Sequence, residues 1–343
     1  MWRSDTSEQY RVYEFTDEFV VDVLTWACNT PNADFTEKIN TENMSDKLIK
    51  MVSDKRFKRF REEMISLSNC KDIQDVKQLF LLFKEKYKEI IQGQVKLPFS
   101  LDEKIIEQIK KPFDYYYKQL IDNESFWGIY NPEVKFVSKK KVREVISKNR
   151  VCPYCDQVQI ESSTKTNMDH YLPVSVFPYL GVHWRNFVIS CGICNGLSQK
   201  NSQYYLPILH PHYDEIENKL KFSFDFANET ATVQVDDTEN TIKSHNYLKL
   251  FDFNQLYKGT WEELNDEYDM IELSILKMYH KDKGNIEIVK CNEIIDESIN
   301  FRKEEHRKSA GTRTYTKMKY DYCSTYDDRS EIISWLMNEQ RTR

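Results

Sequence analysis

Two cysteine pairs, Cys152-Pro-Tyr-Cys155 and Cys191-Gly-Ile-Cys194, have the spacing of metal ligands. Two residues between cysteines let both thiolates reach one ion from a tight turn, and two such turns complete a closed tetrahedral site of four thiolates. One pair alone would equally suit a thioredoxin-like redox motif; two in one chain favour structural Zn2+. Four reduced, buried thiols and a redox dithiol are the alternatives. A closed site has no open position for catalysis, so any reaction must come from the residues between the pairs.

Those residues include Thr166-Asn-Met-Asp169-His170-Tyr-Leu-Pro173. They continue with Asn186-Phe-Val-Ile-Ser-Cys191 and then Cys194-Asn195-Gly-Leu-Ser-Gln-Lys200. Hydrolysis of a phosphodiester needs a general base to activate water, and a divalent cation to hold the phosphate and stabilise the leaving oxygen. A neutral His is the natural base near pH 7. Asp and Asn offer hard oxygen ligands, which suit Mg2+ or Mn2+ better than zinc.

Asp-His-x-x-Pro, an Asn 16 residues after the His, and then Cys-x-x-Cys-Asn with a following Lys resemble the HNH (ββα-metal) endonuclease family. The likeness is to the branch whose motif is braced by two CxxC zinc knuckles, and it covers Cys152 to Lys200. The resemblance implies that Asp169 is a metal ligand, that His170 is the general base, and that Asn186 buttresses the loop bearing the His. It implies that Asn195, opening the α element, is the second ligand of the catalytic ion. Asn stands here where some members have their last His, a change found in active members too. DNA rather than RNA as substrate, and 5′-phosphate with 3′-hydroxyl products, are further implications. The segment Leu206-Pro-Ile-Leu-His210-Pro-His212-Tyr-Asp214 resembles one that trails the HNH core in defence-associated relatives, including the nuclease subunit of Septu-type phage-defence systems. That likeness implies a partner ATPase or another regulatory subunit.

Each residue also has a plainer reading. His170 alone could be a satisfied core histidine, Asp169 a loop cap and Asn186 a turn residue. Asn195 could be a helix N-cap. His183 reads as a solvated loop histidine, with a substrate or metal contact as the alternative, while His210 and His212 read as turn residues rather than metal ligands. Lys200 is either a phosphate contact or a surface lysine.

The elements that hold these residues are expected to be mostly helical. The 343 residues are 40% hydrophobic and 30% charged, with only 8 Gly and 9 Pro, as in a globular, helix-rich chain. Val76, Leu79, Phe80, Phe83, Tyr87, Ile90 and Ile91 recur at helical spacing, predicting a helix over Asp75–Gln92 with Gly93 as its stop. Another short helix is expected over Lys139–Lys148. Period-2 alternation at Lys221–Phe226 and Thr232–Val235 predicts a hairpin turning near Asn228. Later helices are expected through Leu264–Met278, ending near Gly284, and over Ile286–Arg307. The expected fold class is α+β, in which the resemblance implies a zinc-stapled ββα-metal domain embedded between predominantly helical regions. The expected divisions are a helical region over 1–134, the HNH domain over 135–215, and a hairpin with helices over 216–343.

The N-terminal segment lacks a basic stretch followed by an apolar one, and no run of about 18 apolar residues occurs, so neither signal peptide nor membrane span is expected. A cytoplasmic location follows, and the sparse cysteines agree with it. A net charge of −6 disfavours indiscriminate coating of nucleic acid, so contact with DNA must be local. Lys135, Lys139, Lys140, Lys141, Arg143, Lys148 and Arg150 form the strongest candidate track into the first cysteine pair. Lys55–Arg61 and Arg302–Lys319 are weaker ones. The reading from another class is a zinc-ribbon module that binds nucleic acid or protein and cuts nothing.

Overall fold

The computed structural model describes residues 1–343 except 34–42, 149, 161–165, 197–198, 237–240, 282–287, 327–328 and 343. Among the described residues, helices dominate and two small antiparallel sheets accompany them, an α+β composition. The chain divides into two units. One comprises Ser4–Lys148 with Ile160–Asp214, and the other Met1–Arg3, Asn149–Gln159 and Glu215–Arg343.

The first of these carries Asp169 and His170. Its helices are α1 (Phe15–Asn29), α2 (Asp46–Ser53), α3 (Lys58–Ser68), α4 (Ile73–Ile91), α5 (Glu103–Tyr115), α6 (Glu124–Tyr130) and α7 (Lys139–Ser147). The helix expected over Asp75–Gln92 is α4, and the apolar positions that predicted it are all buried. Gly93 follows with φ +76°, and a side chain there would press within 2.7 Å of Pro207 Cβ, so glycine is required. Asp102 caps α5 by accepting from Lys104 N–H at 2.8 Å, and Ser138 caps α7 at Lys141 N–H. Pro112 removes one N–H donor within α5. The chain then passes into a π-helical turn, Tyr116–Leu120, a form concentrated at functional sites.

Around Phe19 of α1 the core is aromatic, with ring centroids 4.9 Å from Phe126, 5.0 Å from Tyr116 and 5.2 Å from Tyr130. The sheet of this unit is a two-stranded ribbon of β1 (Thr166–His170) and β2 (Phe187–Cys191). Its register pairs Asp169 with Val188 and His170 with Phe187, so both candidate residues lie at the end of β1.

The α element expected to open at Asn195 is not seen among the described residues. Residues 192–196 instead form turns, with Asn195 N–H donating to Cys191 O at 3.2 Å and Gly196 N–H to Ile193 O at 3.1 Å. The tight turn after Cys191 uses these donors locally. A Cβ on Gly196 would lie 3.1 Å from the carbonyls of Gly192 and Ile193. Leu197 and Ser198, within the same motif, lie outside the described residues.

In the second unit, β3 (Leu220–Asp225) and β4 (Thr230–Val235) form the predicted hairpin. Asp225 accepts from the N–H groups of Ala227 and Asn228, both at 3.1 Å, which closes the turn at the expected place. Helices α8 (Ile242–Leu250), α9 (Phe253–Leu256), α10 (Glu262–Lys281), α11 (Ile288–Lys308), α12 (Thr316–Thr325) and α13 (Arg329–Thr342) follow. The stop expected near Gly284 lies outside the described residues. Glu267 on α10, Arg302 and His306 on α11 and Cys323 on α12 meet in the interior of this unit. None of the described helices is long and apolar enough to cross a membrane.

Candidate functional site

His170 ends β1, half-buried, and its Nε2 lies 2.9 Å from the carbonyl oxygen of Gly181. A carbonyl can only accept, so Nε2 carries the proton and Nδ1 is left as the basic nitrogen. The Tyr117 ring stands edge-on to the imidazole with centroids 4.4 Å apart, and its hydroxyl donates to Met168 O at 3.0 Å. The π-helical turn that displaces Tyr117 from α5 thereby fixes the orientation of His170. Burial lowers the His170 pKa to about 4, against the opposing hydrogen bond to Gly181 and the charge of Asp169, so the ring is neutral near pH 7.

Asn186, fully buried just ahead of β2, holds the chain that leaves β1. Its Oδ1 accepts from Leu172 N–H at 2.7 Å and from the Tyr87 hydroxyl at 2.9 Å. Its Nδ2 donates to Leu172 O at 3.0 Å and Leu180 O at 3.4 Å. Tyr171 N–H adds a bond to the Asn186 backbone oxygen at 2.7 Å. The side-chain amide therefore acts as a spare peptide group that continues the β1–β2 pairing past the end of the ribbon.

A cleft of about 500 Å3 opens over this corner, lined among others by Asp169, His170, Asn195, Lys200, Tyr117 and Arg143. Asp169 is 5% exposed. Its Oδ2 accepts from the Lys200 ammonium at 2.6 Å, and the same ammonium reaches the backbone oxygen of His170. A carboxylate and an amide on one cleft are the donor set a hard divalent ion prefers. Asp169 and Asn195 both line this cleft, and the Asp169 carboxylate is already paired with an ammonium. Lys200 is 2% exposed, so it is not the surface lysine of the plainer reading.

Cys152 and Cys155 lie in a turn with Cys152 N–H bonded to Val158 O at 2.9 Å and Asp156 N–H to Cys152 O at 2.9 Å. Cys194 N–H points at Cys191 Sγ at 3.5 Å, as in a turn presenting both sulfurs to one side. All four are buried, and each turn could offer two thiolates to a metal ion such as zinc.

Other candidates take different places. His183 is not a solvated loop residue: it is fully buried, with Nδ1 2.8 Å from Asp17 Oδ1 at the start of α1. No local pattern announces a partner 166 residues away. His210 and His212 are buried in a turn where Nδ1 of His210 accepts from His212 N–H at 3.1 Å, in keeping with the turn reading. In the basic segment, Lys139 is held by Asp122 at 3.3 Å and lies over the Tyr117 ring at 4.1 Å, whereas Lys140 and Lys141 are exposed. In Lys55–Arg61 and Arg302–Lys319, Arg302 and Lys317 are buried in ion pairs, while Lys55, Arg56, Lys58, Arg59, Arg307, Lys308 and Arg313 are exposed. Arg56 binds Asp54, Arg61 binds Val52 O, Arg302 binds Glu267 and Lys317 binds Asp321. Tyr87, Tyr117 and Gly181 carry functions of position that no sequence motif marked.

Comparison with known proteins adds a partial likeness. No protein-family model matches the chain, and no solved structure does. The chain is 30% identical over 127 residues to the Septu protein PtuB of Bacillus thuringiensis, over 37% of this chain and 45% of that protein. The chain thus spans less than half the length of the curated relative it matches, and the resemblance to a Septu protein is partial.

Proposed function

We propose that this protein is a metal-dependent HNH-type endonuclease that hydrolyses DNA phosphodiester bonds. The observation that carries the reading is His170 at the strand end, its Nε2 proton engaged by Gly181 and its ring neutral, beside the carboxylate of Asp169 in a cleft. In this reading Nδ1 of His170 takes a proton from water as the oxygen attacks phosphorus in line. Asp169 and Asn195 would hold Mg2+ or Mn2+, and the ion would supply charge stabilisation to the phosphate and the leaving oxygen. Asn186 keeps the His-bearing loop in place through Leu172. Lys140 and Lys141, exposed on the helix whose Lys139 and Arg143 line the cleft, suit the phosphate backbone. The two cysteine pairs hold one structural zinc.

A role in phage defence alongside a partner ATPase is proposed from the partial likeness to the Septu protein. The test is cleavage of plasmid DNA and of RNA with and without Mg2+ or Mn2+, beside His170→Ala shown to be folded and zinc-loaded. Metal-dependent DNA cutting lost in that variant supports the reading. Cutting at the wild-type rate by His170→Ala overturns the mechanism. Binding without cutting under every metal would favour a zinc-ribbon binding module.

A further inference from the structure

Lys200 is the least expected neighbour of the site. A lysine buried to 2% exposure carries a large desolvation cost, and burial indeed lowers its pKa from the usual value. What offsets that cost is local: Asp169 Oδ2 at 2.6 Å, the backbone oxygen of His170, and the face of the Tyr171 ring at 5.7 Å. The ammonium therefore sits on the carboxylate that the proposed function assigns to a divalent ion. A divalent ion on the same carboxylate would sit within a few ångströms of the ammonium, in a cleft already lined by Lys139 and Arg143, and that like-charge repulsion favours exchange of one cation for the other. Yet the lysine is tethered by a flexible four-carbon stem, and the turn residues on either side of it do not lock it as a helix would.

We propose that Lys200 is a tethered cation which occupies Asp169 in the metal-free protein and is displaced when a divalent ion binds there. It rests on the metal-site reading above. The carboxylate stays compensated in both states: by the ammonium without metal, and by the ion with it. The lysine thereby weakens metal affinity and sets the ion concentration at which the site fills.

The test is Mn2+ binding followed by electron paramagnetic resonance of the free ion, with Mg2+ titrations by calorimetry, on zinc-loaded full-length protein. Lys200→Met is expected to bind Mn2+ about tenfold tighter or more than wild type, since breaking a buried pair leaves Asp169 needing a cation. Lys200→Arg, which keeps the charge, is expected to stay close to wild type. Asp169→Asn is expected to lose the binding in either background. If Asp169→Asn loses binding but Lys200→Met binds no tighter than wild type, the displacement proposal fails and the metal site stands. If no form takes up Mn2+, or Asp169→Asn binds as wild type does, both fail. A measurement on unaltered protein covers the case of a misfolded variant. Amine-reactive labelling of Lys200, read by mass spectrometry, is expected to be slow without metal and several-fold faster with saturating Mg2+. Unchanged labelling overturns the displacement.

Discussion

Asn186 and Leu172 exchange a closed pair of hydrogen bonds: Leu172 N–H to Asn186 Oδ1 at 2.7 Å, and Asn186 Nδ2 to Leu172 O at 3.0 Å. A side chain thus replaces the backbone partner that Leu172 would have had if the ribbon were longer. Asn186→Ala removes this and leaves buried donors and acceptors behind, at about 1–3 kcal/mol for each unsatisfied group. Chemical denaturation is expected to show a loss of about 2–4 kcal/mol. Cleavage is expected to fall by far more than the surviving folded fraction. Tyr87→Phe removes one bond of the same amide and is expected to cost only about 1 kcal/mol.

Tyr117 holds His170 from one side while its hydroxyl anchors to Met168. Tyr117→Ala is expected to lower the cleavage rate at least about tenfold by loosening the ring, a penalty typical of misplacement. Tyr117→Phe keeps the ring and is expected to retain most of the rate. Single-turnover assays on both variants decide this, and equal losses would place the effect on the hydroxyl instead.

The four cysteines offer a direct metal prediction. Zinc analysis is expected to find about one ion per wild-type chain and clearly less in Cys155→Ser or Cys194→Ser. A strong chelator is expected to lower the thermal midpoint of the wild-type protein, because binding energy at such a site is folding energy. An unchanged midpoint after verified zinc removal would count against a structural ion.

Stability should depend on acid through His210 and His212. Burial is the main cause that lowers the pKa of both, to about 4 for His212 and well below the usual value for His210. The unfolded chain then binds protons that the folded chain refuses, once pH falls below about 6.5. The His212 contribution is full above that pH and declines until pH reaches about 4. The loss across the window is on the order of 3 kcal/mol for His212. Thermal midpoints measured between pH 7 and pH 5 are expected to fall, and His212→Gln is expected to flatten the decline.

In the second unit, Glu267 is 1% exposed and is bound by Arg302 through both oxygens, at 2.9 and 2.8 Å. Arg302→Ala leaves the buried carboxylate with His306, at 2.9 Å, as its remaining basic partner, and is expected to destabilise this unit by about 3 kcal/mol. Replacing both residues with apolar ones is expected to recover much of that. Urea unfolding of the single and double variants measures the difference.

Much of this was legible in the sequence because it is local. A helix such as α4 is written in seven apolar residues at 3.6-residue spacing, and the β3–β4 hairpin in period-2 alternation with a turn-forming Asp-Phe-Ala-Asn. The cysteine pairs and Asp169-His170 are short motifs whose chemistry depends on residue type and spacing. What only the tertiary structure decided is everything that depends on a distant partner. Lys200 became the buried counterion of Asp169, His183 the partner of Asp17, and Tyr117 the wall behind His170. At Asn195 the described chain forms a turn closed by the Asn195 N–H to Cys191 O and Gly196 N–H to Ile193 O bonds. Spacing along the chain specifies which groups are available, whereas desolvation and ion pairing, which depend on the folded surroundings, decide the charge each one carries and what it can do.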